Sequence, residues 1–149
     1  MPDLHKPADP VLEQDYVLDD QIGFMLRQVY QRHAAIFAER FGEDLTPMQW
    51  AVVAKLAEVG DCSQNLLGRL TAMDVATIKG VVERLARRSL VVTSPDPTDR
   101  RRIVVSLTPT GRDIYDRHVA DALRISEETL APLSPTERGM LVGLLLRLK

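Results

Sequence analysis

The spacing of apolar residues along the chain predicts a mainly helical protein. Apolar side chains recur at intervals of three and four residues from Asp19 to Gly42, which predicts one long helix with a glycine stop. Each of the later long helices begins with a capping hydroxyl followed by proline, which suits the first helical turn. These pairs are Thr46-Pro47, Thr108-Pro109 and Ser134-Pro135. Gly60 ends the second helix, so its two boundaries are both marked.

Two shorter helical segments follow Gly60. Ser63 is the candidate cap of the first and Asp74 of the second, with the break "TAMD" between them. Two short helices joined by a turn of about four residues, the second richer in small, polar and basic side chains, form a helix-turn-helix pattern. Many other helical hairpins share this spacing, so the pattern needs support from the segment that follows.

That support is a pair of β-branched runs, "LVVTS" and "RIVVSLT", separated by "PDPTDRR". Ile103, Val105 and Leu107 share one face of the second run. The connection is too long for a two-residue turn, so we predict a β-ribbon with a protruding loop. A helix-turn-helix followed by such a ribbon is a winged helix. The expected fold class is therefore mainly α with a small β-ribbon.

The length of 149 residues favours a single domain. Residues 1–18 are expected to form an N-terminal arm, because the first part is rich in proline and lacks periodicity. Residues 46–108 hold the winged helix-turn-helix lobe. The leucine-rich last helix needs a surface to cover, and the first helix and a second subunit are the candidates. Residues 19–45 and 109–149 are accordingly expected to form a helical dimerisation region.

The charge of the chain is unevenly distributed. The net charge is −2, which by itself argues against a nucleic-acid partner. Residues 63–106 nevertheless carry eight Lys or Arg against four acids, so this segment is +4 and the rest is −6. A basic middle inside an acidic chain indicates a localised anion-binding face. The three consecutive arginines of the loop, Arg100, Arg101 and Arg102, lie within that segment.

Other features exclude several classes of protein. No apolar run approaches the ~18 residues of a membrane span, and the first residues lack a signal-peptide pattern, so a cytoplasmic location is expected. The single cysteine, Cys62, cannot form an internal disulfide or a cysteine-based metal cluster. No phosphate-binding, dinucleotide, zinc-protease or nucleophile-elbow motif is present, and the three histidines are far apart in sequence. We expect no enzyme activity, no metal and no cofactor.

The chain resembles the MarR family of winged-helix transcriptional regulators. The resemblance lies in "LTPMQWAVVAKLAE", in "MDVATIKGVVERLARRSLV" and above all in "SPDPTDRRRIVVSLTPTGR", and it extends over residues 19–149. It implies a homodimer, two winged lobes on a pseudo-palindromic double-stranded DNA operator, and a small ligand that shifts the spacing of the lobes. The function expected from it is repression by operator occupancy, relieved by ligand.

The resemblance also assigns DNA-binding roles to individual residues. The start of the helix after Ser63 offers N–H groups and a helix dipole to phosphate, whereas simple capping by Ser63 is the rival interpretation. The first turns of the next helix would enter the major groove, and the wing arginines the minor groove. The predicted DNA-binding residues are Ser63, Gln64, Asn65, Ala76, Thr77, Lys79, Gly80, Arg84, Arg100 and Arg101. Asp99 is expected to shape the loop by accepting hydrogen bonds from the arginines.

The segment "LDDQIGFMLRQVYQRHAAIF" is similar to members of the family that control the degradation of aromatic acids. The expected effector is an aromatic carboxylate or its coenzyme A thioester. Aromatic and cationic side chains that could stack on a ring and pair with a carboxylate lie on the first two helices. They are Phe24, Arg27, Tyr30, His33, Phe37 and Trp50. Packing in the core is the alternative role for the aromatic ones.

Two alternative functions remain open from the sequence. Some relatives sense peroxide through a cysteine, but Cys62 lies between the second helix and the helix-turn-helix, without a basic neighbour in sequence that would lower its pKa. The other alternative is a winged helix that serves only as a protein-interaction adaptor. Such an adaptor would tolerate neutral residues where Thr77, Lys79 and Arg101 stand.

Overall fold

The computed structural model describes residues 15–149 and contains a winged helix-turn-helix with additional helices at both ends. A single 3-10 turn at Leu18–Asp20 precedes the first long helix. The elements are α1 (Ile22–Phe41), α2 (Pro47–Val59), β1 (Cys62–Ser63), α3 (Gln64–Leu70), α4 (Val75–Arg87), β2 (Val91–Pro95), β3 (Ile103–Leu107), α5 (Pro109–Leu130) and α6 (Pro135–Leu148). The predicted fold class is confirmed. Most of the predicted arm, residues 1–14, lies outside the described residues.

The predicted helix caps are confirmed by hydrogen bonds. At α2, Thr46 Oγ1 accepts from the Gln49 N–H at 3.2 Å, and the Gln49 side chain accepts in return from the Thr46 N–H at 3.1 Å. Asp74 caps α4 by accepting from the Thr77 N–H at 2.7 Å. Ser63, Thr108 and Ser134 each accept from the N–H three residues further on. These bonds satisfy donors that every helix start leaves without a partner.

The sheet has three antiparallel strands in the order β1-β3-β2. The predicted ribbon is β2 and β3, whose register runs from Val91 opposite Leu107 to Pro95 opposite Ile103. The short strand β1 was not predicted. It pairs Cys62 with Val105, and its two residues are too few to show the alternation that marks a strand in sequence.

Internal contacts divide the chain into two units, residues Met1–Arg32 and residues His33–Lys149. The hydrophobic core of the second unit is made by the inner faces of its helices and by β2 and β3. Its buried members are Phe37, Phe41, Leu45, Val52, Val53, Leu56, Leu67, Ile78, Val81, Val82, Leu85, Leu90, Val91, Val105, Ile114 and Ile125. Among the described residues, no helix has both the length and the apolar character that a membrane crossing needs.

The start of α5 is held closely against the base of the wing. Thr108 Oγ1 donates to Ser89 O at 2.6 Å and accepts from the Gly111 N–H at 3.0 Å. Gly111 is buried, and a Cβ there would overlap Leu90 O and the side chain of Leu107. The glycine therefore permits the close approach that fixes α5 relative to the ribbon.

Candidate nucleic-acid interface and ligand pocket

Helix α4 has one buried and one exposed face. Ile78, Val81, Val82 and Leu85 are buried in the core. The opposite face exposes Ala76 and Lys79, while Thr77 and Gly80 are half-buried at its edge. Helical periodicity puts positions four apart on one side, so the exposed face is continuous along the helix.

Arg84 continues this face one turn beyond Gly80. Its guanidinium lies close over the glycine, where a Cβ would meet Nη1 at 3.4 Å. The residue is exposed. A small residue at position 80 therefore gives the Arg84 side chain room to lie along the helix surface.

The first turn of α3 and the wing border a common cleft. The cleft has a volume of about 310 Å³, and it is lined by Ser63, Gln64, Asn65, Leu66, Arg69, Arg101, Arg102 and Ile103. Three guanidinium groups and two side-chain amides are thus arranged around one opening. The structure brings together four residues that the sequence analysis had assigned to DNA from separate segments: Ser63, Gln64, Asn65 and Arg101.

The loop of the wing is built around two aspartates. Asp96 Oδ1 accepts from both the N–H and the hydroxyl of Thr98 at 2.8 Å. Asp99 Oδ1 accepts from the Arg101 N–H at 3.1 Å and from Arg101 Nε at 3.2 Å. Asp99 therefore shapes the loop as expected, and it holds an arginine whose side chain is 92% exposed.

Hydrogen bonding also affects the acidity of these carboxyl groups. The pKa of Asp96 is lowered, mainly because the Thr98 N–H and then its hydroxyl donate to the carboxylate. The pKa of Asp74 at the start of α4 is lowered in the same way by donation from Thr77. Both groups therefore stay ionised at neutral pH and keep their hydrogen bonds.

Two arginines at the end of α4 differ in environment. Arg87 is exposed. Arg88, one of the eight cations of the basic segment, donates through Nη1 to Asp44 O in the loop between α1 and α2. The His118 ring bonds the carboxylate of the same Asp44 at 2.9 Å. Arg88 thus ties the end of α4 to the loop between α1 and α2, a contact between residues 44 positions apart that sequence spacing could not reveal.

Two residues that border the candidate interface, Arg69 and Val75, were not assigned a role from the sequence. Arg69 lines the cleft beside the wing, together with Arg102, which belongs to the wing arginines already expected at the minor groove. Val75, the first residue of α4, is 71% exposed. A signal for Arg69 existed, since it is one of the eight cations of the basic segment. For Val75 there was none, because an apolar residue at a helix start is usually interpreted as packing.

A separate pocket lies between α1, α2 and α5 within residues 33–149. It has a volume of about 190 Å³ and is lined by His33, Phe37, Pro47, Trp50, Ala122, Ile125 and Ser126. Three of the predicted ligand-binding residues, His33, Phe37 and Trp50, therefore share one cavity. The others, Phe24, Arg27 and Tyr30, lie on the part of α1 that belongs to the unit ending at Arg32, where Phe24 is half-buried and the other two are exposed.

The aromatic residues of the pocket also belong to the core. Phe37 stacks on Phe41 with ring centroids 4.2 Å apart. Trp50 packs edge-on against Phe41 at 5.2 Å and stacks on Tyr115 at 5.5 Å. Core packing and pocket lining are therefore not exclusive for Phe37 and Trp50, because one face of each ring packs inward while the side chain still borders the cavity.

His33 in the pocket wall is held by a hydrogen bond to α5. Thr129 Oγ1 donates its hydrogen to Ile125 O at 2.8 Å and therefore accepts one from His33 Nδ1, also at 2.8 Å. This bond fixes the orientation of the ring and assigns the proton of the neutral imidazole to Nδ1. The second ring nitrogen, Nε2, is then a hydrogen-bond acceptor in the neutral ring.

Cys62 is half-buried in β1. Burial raises the pKa of its thiol above the ordinary value of 9.0, and the charge of Asp61 raises it further. The thiol is therefore protonated at neutral pH, whereas peroxide reacts with thiolates.

Comparison with known proteins agrees with this arrangement. The HTH-type transcriptional repressor NicR of Pseudomonas putida is 41% identical over 137 residues, which cover 91% of this chain and 87% of NicR. A probable transcriptional regulator from Pseudomonas aeruginosa has a crystal structure with a TM-score of 0.86 and 57% identity, covering 89% of this chain and 100% of that one. BpsR of Bordetella bronchiseptica, whose DNA binding is described as regulated by 6-hydroxynicotinic acid, has a TM-score of 0.87 and 40% identity, covering 91% and 97%.

The lobe, with its basic wing and an exposed helix of small and polar residues, has the architecture of a winged helix-turn-helix protein, and the relatives above are transcriptional regulators. A family model described as the MarR family matches residues 43–102. Together with the relatives above, this shows that the chain belongs to the MarR family. The resemblance inferred from the sequence is thus confirmed.

Proposed function

We propose that this regulator is a homodimeric repressor that binds a pseudo-palindromic operator and is released from it by a small aromatic carboxylate. The observation that carries the proposal is the cleft in which Ser63, Gln64, Asn65 and Arg101 meet. Two helix-turn-helix lobes of a dimer bind half-sites about one helical turn apart, roughly 34–36 Å. A modest ligand-induced change in lobe separation is then enough to abolish operator binding.

Within this proposal the residues have distinct tasks. Ser63, Gln64 and Asn65 hold phosphate at the start of α3, and Arg84 contacts phosphate along α4. The exposed first turns of α4 enter the major groove with Ala76, Thr77, Lys79 and Gly80. Arg100 and Arg101 reach the minor groove from the wing, where a narrow groove concentrates negative potential.

The wing assignment is tested by Arg101→Ala. Because the side chain is 92% exposed, the substitution removes the proposed DNA contact without removing core packing. We expect weaker operator binding. The slope of the logarithm of the binding constant against the logarithm of the salt concentration should be smaller in magnitude by about 1. The probe is a fluorescein-labelled duplex enriched from a random pool by the full-length protein, measured by fluorescence anisotropy.

The matched control for this experiment is Arg117→Ala, which removes an exposed arginine from α5. It should leave the salt dependence unchanged. An operator affinity and slope in Arg101→Ala equal to those of the wild type would contradict the role of the wing.

The dimensions of the pocket favour a single-ring acid as effector. Its volume of about 190 Å³ is below the roughly 300–1,000 Å³ of pockets that hold drug-sized ligands. A free aromatic carboxylate matches that size, whereas a coenzyme A thioester would extend far outside it. Phe37 and Trp50 supply ring contacts, and His33 and Ser126 supply polar ones. The 6-hydroxynicotinic acid that regulates BpsR, a 40% identical protein, belongs to this chemical class.

The effector is tested by releasing the protein from the same labelled duplex. The panel consists of benzoate, 4-hydroxybenzoate, nicotinate, 6-hydroxynicotinate and benzoyl-coenzyme A. We expect at least one free acid to raise the apparent Kd, and benzoyl-coenzyme A to have no effect. Release by the thioester alone would contradict the choice of the free acid.

A variant that fills the pocket tests its location. Ser126 is an exposed residue of the pocket wall, so Ser126→Leu narrows the cavity at little cost to folding. We expect Ser126→Leu to bind DNA normally. The acid concentration needed to release it from the duplex should be at least about tenfold higher, since lost pocket contacts reduce the affinity for the acid by about 1–3 kcal/mol. Ser126→Ala, which leaves the cavity open, is the control. Equal responses in both variants would place the effector elsewhere.

The raised pKa of Cys62 weighs against the redox alternative. Mild peroxide is expected to leave operator binding intact. Loss of binding that Cys62→Ser prevents would instead support a redox sensor. The adaptor alternative would be favoured if the protein enriched no duplex from the random pool at low salt.

A further inference from the structure

We propose that Val75 reads the operator sequence by packing its side chain against the C5 methyl group of a thymine in the major groove. The inference rests on the DNA-binding function proposed above. Val75 is the first residue of α4, and its side chain is 71% exposed. The other β-branched apolar residues of the helix, Ile78, Val81 and Val82, are each 1% exposed and belong to the core.

The position of Val75 in the helix directs it toward bases. Val75, Lys79 and Glu83 follow one another at intervals of four residues and are all exposed, so they lie along one line on the surface of α4. In a helix-turn-helix the N-terminal residues of the second helix contact base edges in the major groove. Val75 lies at the N-terminal end of this line, which is the end that such a helix inserts first into the major groove.

The chemistry around Val75 suits a base edge and not a phosphate. Its neighbours in sequence are Asp74, whose carboxylate caps the helix, and the small apolar Ala76. The first cation of the line is Lys79, a full turn further on. An aspartate repels phosphate, and an apolar side chain offers it no donor. The thymine methyl is the apolar feature of the major groove, and contacts with apolar side chains recognise it.

Phosphate-binding groups flank the same surface. Val75 lines a cleft of about 350 Å³ between α3 and α4 together with Asn65 and Arg69. The amide and the guanidinium can hold the DNA backbone at the side of this cleft, which leaves the tip of α4 to the bases. The apolar Val75 side chain and the donors of Asn65 and Arg69 thus border the same cleft.

The experiment compares thymine with deoxyuridine, which lacks only the C5 methyl group. The probe is the duplex that the full-length wild-type protein enriches from a random pool, with each thymine replaced singly by deoxyuridine. At one thymine position of each half-site, we expect replacement by deoxyuridine to weaken binding by the wild type about fourfold. This is the factor expected for the loss of one buried methyl group. Val75→Ala should bind the thymine and deoxyuridine duplexes at that position equally.

The control variant is Val59→Ala, which truncates a valine that is 46% exposed at the end of α2. It should retain the fourfold difference. Thermal unfolding should confirm that Val75→Ala is folded, since the residue adds nothing to the core. A Val75→Ala protein that keeps every deoxyuridine penalty, or a wild type that shows none, would overturn the inference while leaving DNA binding intact. Failure of the wild type to enrich any duplex would overturn the proposed function and this inference together.

Discussion

At the scale of single residues, the wing depends on the bond between Asp99 and Arg101. The carboxylate accepts from the backbone N–H and from Nε of the same arginine, at 3.1 and 3.2 Å. Arg102 Nε lies 3.8 Å from the other oxygen of Asp99. An acid within the proposed DNA-binding surface is unfavourable in charge, so its presence indicates a positioning role.

Asp99→Ala separates charge from positioning, because the two effects have opposite signs. Removal of a negative charge from a DNA-binding surface should strengthen binding, whereas loss of the two hydrogen bonds frees Arg101 to adopt many conformations. We expect the second effect to dominate and operator affinity to fall by about threefold to tenfold, corresponding to ~1 kcal/mol for ordering one long side chain. Fluorescence anisotropy at fixed salt measures this change.

Asp116→Ala provides the comparison, since Asp116 is an exposed acid on α5. Its removal should leave affinity equal to the wild type or slightly higher. Tighter binding by Asp99→Ala would show that its charge matters more than the orientation it gives to Arg101.

At the scale of elements, the turn of the helix-turn-helix contains a residue in an unfavourable conformation. Ala72 has φ of 55°, in the left-handed region that favours glycine. Gly68, one turn earlier on α3, is packed so that a Cβ would lie 3.1 Å from Met73 O. The turn is therefore set by tight packing of α3 on α4, which holds Ala72 in place.

Ala72→Gly is expected to stabilise the protein by about 0.5–1 kcal/mol, because relief of the left-handed conformation outweighs the added freedom of the unfolded chain. The same substitution at Ala120, an exposed position within α5, should destabilise by about 1 kcal/mol, since glycine is a poor helix former. Urea unfolding measures both free energies. Destabilisation by both substitutions would show that Ala72 is not strained.

The cap of α4 gives a prediction about pH. Donation by Thr77 holds the pKa of Asp74 below its ordinary value of 3.8 in the folded state. The unfolded chain therefore binds a proton more readily, so the contribution of Asp74 to stability is present above pH 3.8 and is lost as the pH falls through the lowered pKa. Asn caps a helix as well as Asp but does not titrate.

As the pH falls below 5, we expect the free energy of unfolding to decrease less for Asp74→Asn than for the wild type. Urea unfolding at a series of pH values measures this difference. At neutral pH the two proteins should differ little. Asp116→Asn, an exposed acid within α5, is the control and should follow the wild type. An acid dependence of Asp74→Asn identical to that of the wild type would contradict the role of the cap.

At the scale of the whole molecule, α6 is the element without a place in the core. None of the residues of this fully described helix is buried, although it carries several large apolar side chains. Those at least 44% exposed are Met140, Val142, Leu144, Leu145, Leu146 and Leu148. Exposed apolar surface of this extent marks an interaction site, and the proposed homodimer supplies a partner.

Leu145→Glu is expected to weaken the dimer, because a charge would have to be buried in an apolar interface. Sedimentation velocity should show dissociation at higher protein concentration than in the wild type, and operator affinity should fall with it because both half-sites must be occupied. Val59→Glu, at a residue of similar exposure in α2, is the control. A stable dimer of Leu145→Glu would exclude this face of α6 from the interface.

Local features were predictable from the sequence because they depend on neighbouring residues. The caps at Thr46 and Asp74 are bonds between residues three apart, and the ribbon follows from alternating β-branched residues. The basic wing was likewise contained in one continuous segment, and the family resemblance in three such segments. Each of these features is decided by short-range sterics and hydrogen bonds, which the order of residues contains.

The tertiary structure alone decided contacts between distant positions. The pairing of Cys62 with Val105 and the bond from Arg88 to Asp44 O join segments that no local pattern relates. Packing of α4 on the core determined that Val75 is exposed, while its neighbour in the helix Ile78 is buried. The sequence by itself thus determined the helices, the β-ribbon and the chemistry they carry. Which side chains meet at a surface was decided by the packing of those elements, because burial depends on every layer of the fold at once.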